Sequence, residues 1–462
     1  MALTTSSEKA GVGRKTIKVR RPLSPVERWL WISHQISPMN GFAWVQVRGK
    51  ICPEQLAWAA AAVVAEQPLL RVSIHAKADG TDPWYEPAAE PVMPIRVVHA
   101  DADDELAAER ELDTVEMAVP VDTSTAPMAR LVDVVRGAGT EAETHDLVLI
   151  MSHTIVDATA RVNMLAQLLG YAAEWDPDSD RPRSVVSRDP VPPLGYALPR
   201  GVRGLPRAMA AVFTEHMASL RARTKPLAPE RYVAPAEKRT RLLLRKLSGD
   251  QLKALLSTCR RNGVTVHAVL STAVARAVGR EIGIQQGKVT IRTPVQARAE
   301  LSPPLARSDV GNYMCVTQTY VDVDPNAEFW AVARQFNKDL KKRLRLRAHL
   351  SSIALMRRFA PKSLATSTRF VDGIDDRAAG AVLVSNLGRV DFPDRVGDWE
   401  LSAVQFFSTM SVTGQMAICA VTSNGVLHLN TCYVEGQTSA ERAARVTDDT
   451  LAILMAAVGR GE

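Results

Sequence analysis

The stretch DLVLIMSHTIVDATARVNMLAQLLGYAAEW, from Asp146 to Trp175, does most to limit how this chain can fold. Its apolar run from Leu147 to Met151 is too continuous for a strand with one wet face, and predicts a strand buried on both faces. Val162, Leu165, Leu168, Leu169 and Ala172 then recur at helical spacing, which predicts a helix directly after it. A strand-to-helix junction puts the residues between, His153 and Asp157, at the end of a sheet, where pockets form. An imidazole there is the side chain best suited to take a proton near neutral pH. His153 is therefore a candidate general base. Asp157 sits just before ATARVNML and reads first as the cap of that helix; it could also fix the turn by pairing with a basic residue. The HxxxD spacing by itself favours a satisfied core histidine over a catalytic one.

A length of 462 residues implies two domains, or two halves sharing a cleft. The apolar share of 46% and charged share of 23% suit a packed protein rather than a disordered one. Cys52, Cys259, Cys315, Cys419 and Cys432 form no CxxC pair, so no zinc knuckle is suggested and a reducing compartment is expected. The N-terminus lacks an apolar core after its charges, and no run approaches the roughly 20 residues of a membrane span. A soluble, cytoplasmic, monomeric protein is the expectation. The net charge is +7. Basic residues cluster between Arg334 and His349 and again at Arg357 and Arg358. This is either a solvated helix face or a landing patch for an anionic partner. Aromatic residues are only 5%, with no basic–aromatic interleaving, which argues against nucleic acid.

Along the chain, residues 1–20 are polar and expected to be disordered. Ser24, Pro25 and Glu27 predict a capped helix start. FAWVQVRG, LLRVSIHA, PIRVVHA and ARLVDVVRG read as strands, and CPEQLAWAAAAVVAEQ as a helix. Residues 21–180 form a first lobe. Residues 181–239 are rich in Pro, Gly and charge and read as a connector with one helix near AMAAVFTEHMASLRAR. Residues 240–462 form a second lobe. There Ser248 and Gln251 cap a helix whose Leu252, Leu255, Leu256 and Cys259 face is buried, and KVTIRTPVQ is a strand. MAICAVTSNGVLHLNTCY is a hairpin turned at Asn424–Gly425.

SHTIVDA resembles the HHxxxDG motif of the condensation-domain and acyl-CoA-dependent acyltransferase superfamily. LSPVERWLW, EQPLLRVSI, TPVQARAELSPPLARSDVGNY, VLVSNLGRVDFP and NGVLHLNTCYVEG resemble further landmarks of that superfamily, in the same order. They span about residues 20 to 455. Ser152 stands where the motif has its first histidine, and Ala158 where it has glycine. SNLGRVDF replaces the plant-type DFGWG, which points to the condensation-like and polyketide-associated branch.

The resemblance implies an α/β fold with mixed sheets: two chloramphenicol-acetyltransferase-like lobes in a V, with a tunnel between them. It implies His153 as general base, Asp157 as an orienting residue salt-bridged to Arg298, Asn312 near the tunnel and SNLGR (385–389) as a lobe-bridging element. Ser408, Thr409 or Ser411 would donate to the oxyanion. It implies no tightly bound cofactor and no metal. Coenzyme A or a carrier-bound phosphopantetheine thioester would serve as co-substrate, with Lys341, Lys342 and Arg343 as candidate donor-docking residues. The leading expectation is transfer of an acyl group from acyl-CoA or an acyl carrier protein to a hydroxyl of a secondary metabolite or lipid. Amide formation and a degenerate carrier-binding protein are the alternatives. A metal-dependent hydrolase lacks a third ligand at sensible spacing.

Overall fold

The computed structural model describes residues 19–179, 185–378 and 380–459. The expectation of disorder over 1–20 falls outside them except at Val19 and Arg20, and Val19 is buried. The short strand Arg21–Pro22, paired antiparallel with Trp84–Pro87, comes first, and the helix Pro25–Ile36 follows. The Ser24 hydroxyl accepts from Glu27 N at 3.3 Å, and the Glu27 carboxylate accepts from Ser24 N at 2.7 Å. Two of the N–H groups that every helix start leaves open are thus satisfied.

Two six-stranded sheets carry the molecule. The first runs, in spatial order, Arg395–Val396, Trp399–Ser408, Asn40–Arg48, Thr144–Ser152, Ala129–Arg136 and Ile95–Ala100. All its pairings are antiparallel except the last. Thr144–Ser152 lies in its middle, buried at every residue but Thr144, which is what the apolar run requires. The second sheet runs Met314–Asp322, Lys288–Gln296, Val382–Arg389, Met416–Ser423, Val426–Val434 and Thr240–Leu247. Val382–Arg389 is parallel to both of its neighbours. The hairpin forms at Asn424 and Gly425, whose φ values of 47° and 74° are those a two-residue hairpin turn demands.

Two strands break the division at Thr240, the short Arg395–Val396 and its neighbour Trp399–Ser408. Trp399–Ser408 comes from the second half of the chain, yet it pairs antiparallel with Asn40–Arg48 of the first. This strand is therefore the element that joins the lobes. SNLGR, expected to bridge them, lies instead inside the second sheet between Lys288–Gln296 and Met416–Ser423. A run with apolar residues on both sides is accommodated there by sheet neighbours left and right.

The cores follow the sheets. One face of the second sheet, with Ala417, Cys419, Val421, Cys432 and Val434, packs into the same apolar cluster as the first sheet. Its other face is covered by the helices Val266–Glu281 and Ala440–Gly459 and part of Phe329–Leu346. The connector does more than link. Leu194, Ala197 and Leu198 form a third core with Val26, Leu30 and Ile353, and Tyr313 Oη donates to Pro192 O at 2.8 Å. Its helix spans Leu205–Ala222. Among the described residues, no helix is long and apolar enough to cross a membrane.

Candidate active site

The buried strand ends at Ser152, and the chain turns before the helix Ala158–Ala173 begins. Two hydrogen bonds shape the turn: Thr154 N donates to Ser152 Oγ at 3.3 Å, and His153 N donates to Met39 O at 3.0 Å. Ser152 is fully buried and also donates to Thr154 Oγ1 at 3.1 Å. The residue in the place of the motif's first histidine thus closes the turn and makes no contact with a substrate space.

Asp157 combines both roles open to it. Its Oδ1 accepts from Ala160 N at 3.1 Å, which caps the helix. Its Oδ2 accepts from Arg298 Nη1 at 2.6 Å and Tyr313 N at 2.9 Å. Arg298 spends its second nitrogen on Asp309 O at 2.8 Å and Gly311 O at 3.1 Å, and its plane lies 4.6 Å over the Tyr313 ring. Both members of the pair are 2% exposed. A buried ion pair is tolerable only when most of its remaining donors and acceptors are met; here all but Arg298 Nε are, and they join the His153 turn to the segment between two strands of the other sheet.

His153 is 8% exposed and faces a cavity of about 600 Å³. Asn312 Nδ2 donates to the His153 carbonyl oxygen at 2.7 Å and lies 3.0 Å from Nδ1. Burial, and next the nearby Arg161 guanidinium, push the imidazole down to about 4, against the pull of Asp157. The ring is therefore neutral near pH 7, as a proton acceptor must be.

A stability effect follows from the same cause. His267 and His428 are likewise pushed down to about 4 by burial. Below the ordinary value of 6.5, the unfolded chain binds protons that these three folded histidines refuse until about pH 4, so stability falls through that interval. His145 acts in the opposite sense: although burial opposes it, contact with Asp133 and then Glu143 raises it. Its contribution is complete below 6.5 and is lost as pH rises through the raised value. His34 is also lowered by burial, so with four against one the melting temperature is expected to be lower at pH 5 than at pH 7. An equal or higher value at pH 5 would contradict the burial of these rings.

The cavity lies between the sheets. His153 and Asp157 come from one side, and Gln296, Ser385, Asn386 and Cys419 from the other. The three candidate hydroxyls separate here. Ser408 lines the cavity at the end of the crossing strand, opposite Gly41. Thr409 lies at the wall, but its hydroxyl accepts from Asn40 N at 2.8 Å and donates to Pro38 O at 2.7 Å. Ser411 is bound to Ser33 O and Ser37 O, both at 3.1 Å, and does not line the cavity. Ser408 is thus the hydroxyl placed to meet a substrate.

The docking residues are not together either. Lys341 and Lys342 are exposed on the helix Phe329–Leu346. Arg343 turns inward, pairs with Glu215 of the connector helix and stacks on the Tyr320 ring at 5.2 Å. An arginine engaged on both faces is not part of a solvent-facing patch. None of the three lines the cavity.

Sequence reasoning missed Arg161. Its position, four and seven residues before Leu165 and Leu168, puts it on the apolar stripe of its helix, and it is 0% exposed. A charge in phase with a buried stripe is the signal that could have found it.

Residues 232–433 match the family model described as "Phthiocerol/phthiodiolone dimycocerosyl transferase C-terminus". A comparison with curated proteins finds no match. Among solved structures, the epimerization domain from the third module of tyrocidine synthetase B is similar with a TM-score of 0.70 at 14% identity, over 96% of this chain and 97% of that one. The first condensation domain of the calcium-dependent antibiotic synthetase, in complex with a substrate analogue, gives 0.69 at 15% identity over 96% and 97%. Polyketide synthase associated protein 5 from Mycobacterium tuberculosis gives 0.64 at 16% identity over 95% and 98%. The chain thus shares the two-sheet fold of these condensation, epimerization and polyketide-synthase-associated structures over nearly its whole length, and its C-terminal lobe matches the transferase family model.

Proposed function

We propose that the protein transfers an acyl group from a thioester, acyl-CoA or an acyl carrier protein, to a hydroxyl of a secondary metabolite or lipid, with His153 as general base. The observation that carries this reading is a neutral, buried histidine on the wall of a cavity between two sheets. Acting as a base requires the tautomer with the proton on Nδ1, turned toward its own carbonyl oxygen, and the Asn312 amide given to that carbonyl rather than to Nδ1; Nε2 then keeps a lone pair for the acceptor's proton. Asn312 holds that same carbonyl, so the turn is fixed whichever ring nitrogen carries the proton. The acceptor oxygen attacks the thioester carbonyl as its proton passes to Nε2. The tetrahedral oxyanion then collapses and expels the thiolate, which takes the proton back from the imidazolium. The products are an ester and a free thiol. Of the three candidate hydroxyls, Ser408 at the end of the crossing strand is the one taken as oxyanion donor. The condensation domain among the similar structures supports an amine acceptor as a second reading. The same histidine serves both.

The test is release of free thiol from a panel of acyl-CoAs and acyl-phosphopantetheinyl carriers, with mixed alcohol and amine acceptors. It compares the unsubstituted protein with His153→Ala. Release lost in the variant supports the reading, and release equal in both removes it.

If a carrier protein is the donor, the exposed Lys341 and Lys342 would meet its acidic surface. The double change Lys341→Glu and Lys342→Glu is then expected to raise KM for the carrier-bound donor roughly two- to tenfold, since exposed pairs are each worth little. The acyl-pantetheine KM is expected to stay the same. Unchanged kinetics with the carrier would remove these lysines from docking.

A further inference from the structure

Arg161 is a buried charge beside the site whose chemistry the acyl-transfer reading leaves unused. It is completely buried, and none of its three guanidinium nitrogens has a hydrogen-bond partner among the described residues. Two other buried arginines show the contrast, each with most of its fork engaged. Arg298 reaches a carboxylate and two carbonyl oxygens, and Arg71 reaches the carbonyl oxygens of Val64 and Ala65 and the Ser187 hydroxyl. An arginine held without acceptors in a dry interior is strongly unfavourable, so its retention asks for an anion that the protein itself does not supply.

The local charge count points the same way. Asp157 is neutralised by Arg298, and His153 is uncharged, so Arg161 is a surplus cation beside the base. The cavity wall adds Arg292, Arg307 and Arg389 against the carboxylate of Asp391.

The guanidinium is also close to the substrate space. It packs on Gly41 so tightly that a Cβ there would overlap it. Gly41 pairs across the sheet with Ser408, so the Ser408 and Phe406 side chains share the guanidinium's face of the sheet. Both line the cavity, as does Cys419, which is near enough to Arg161 for their charges to interact. One layer of side chains separates the guanidinium from the open cavity.

We propose that Arg161 is the receptor for a carboxylate carried by a substrate in this cavity, on either the acyl group or the acceptor. A carboxylate matches the guanidinium fork with two parallel hydrogen bonds and supplies the missing charge. It reaches Arg161 when the layer of Phe406, Ser408 and Cys419 turns aside. The inference rests on the cavity being the substrate site, but not on any turnover there.

Titration calorimetry tests it in two arms. The donor arm compares succinyl-pantetheine with butyryl-pantetheine; the acceptor arm compares 3-hydroxybutyrate with its methyl ester. In one arm the carboxylated member is expected to bind at least tenfold tighter to the unsubstituted protein, which is the scale of a charge-assisted pair. Arg161→Met, similar in length and uncharged, is expected to erase that ratio. Arg161→Lys, which keeps the charge but loses the fork, is expected to retain part of it and carries the test if the methionine variant does not fold. Equal binding within both pairs, or a preference that survives Arg161→Met, overturns the inference. A protein that binds the carboxylate through Arg161 and still releases no thiol would refute acyl transfer and leave the receptor standing.

Discussion

Substituting His153 by alanine is expected to lower thioester turnover by roughly 10²–10⁴-fold, the range that one positioned acid–base group supplies. The fold has little reason to change with it. The turn is held by His153 N to Met39 O and by Asn312 to the His153 carbonyl, and both are backbone contacts that alanine keeps. A fall in kcat with a preserved melting temperature is therefore the signature, read from thiol release and thermal unfolding together. The pH profile adds a check. A base pushed down to about 4 is lost only as pH falls through that value, so the acid limb of kcat/KM is expected well below the ordinary 6.5. A limb centred near 6.5 would mean that the base is solvated, or is another group.

Breaking the Arg298–Asp157 pair from either side is expected to cost about 3–5 kcal/mol of stability, because the partner left behind is an uncompensated buried charge. Asp157→Asn is the sharper variant. Asparagine keeps one oxygen for Ala160 N, but its amide then faces Arg298 Nη1 and Tyr313 N, donor against donor. Chemical denaturation measures the cost, and activity is expected to fall with it because the His153 turn is tied to this pair. Asp157→Leu combined with Arg298→Met is expected to lose less than the sum of its single changes, since neither charge is then stranded. A stable and fully active Asp157→Asn would remove the orienting role.

Much of this was legible in short windows of sequence. Ser24 with Glu27 and Ser248 with Gln251 act through contacts three residues apart, so their letters suffice to place two helix starts. The strand before His153 and the helix after Asp157 follow from apolar spacing alone. What escaped depends on distant partners. That Trp399–Ser408 joins Asn40–Arg48 is a choice among many edges, and nothing within ten residues encodes it. Arg343 reads as one more member of a basic run until Glu215, 128 residues away, claims it. Arg161 is local in the opposite way: its signal is a single charge in phase with the apolar residues Leu165 and Leu168 of its own helix.

The crossing strand Trp399–Ser408 also sets a schedule for synthesis. The first sheet cannot be completed as the chain emerges, because the partner of Asn40–Arg48 is made some 350 residues after it. Until residue 408 has left the ribosome, Asn40–Arg48, apolar over most of its length and almost wholly buried in the finished protein, presents an open hydrogen-bonding edge to neighbouring nascent chains. A nascent chain of this kind depends on chaperones for as long as that edge is open. The two lobes, for the same reason, cannot be made as separate proteins by cutting the connector, since the N-terminal piece would lack a strand of its own sheet.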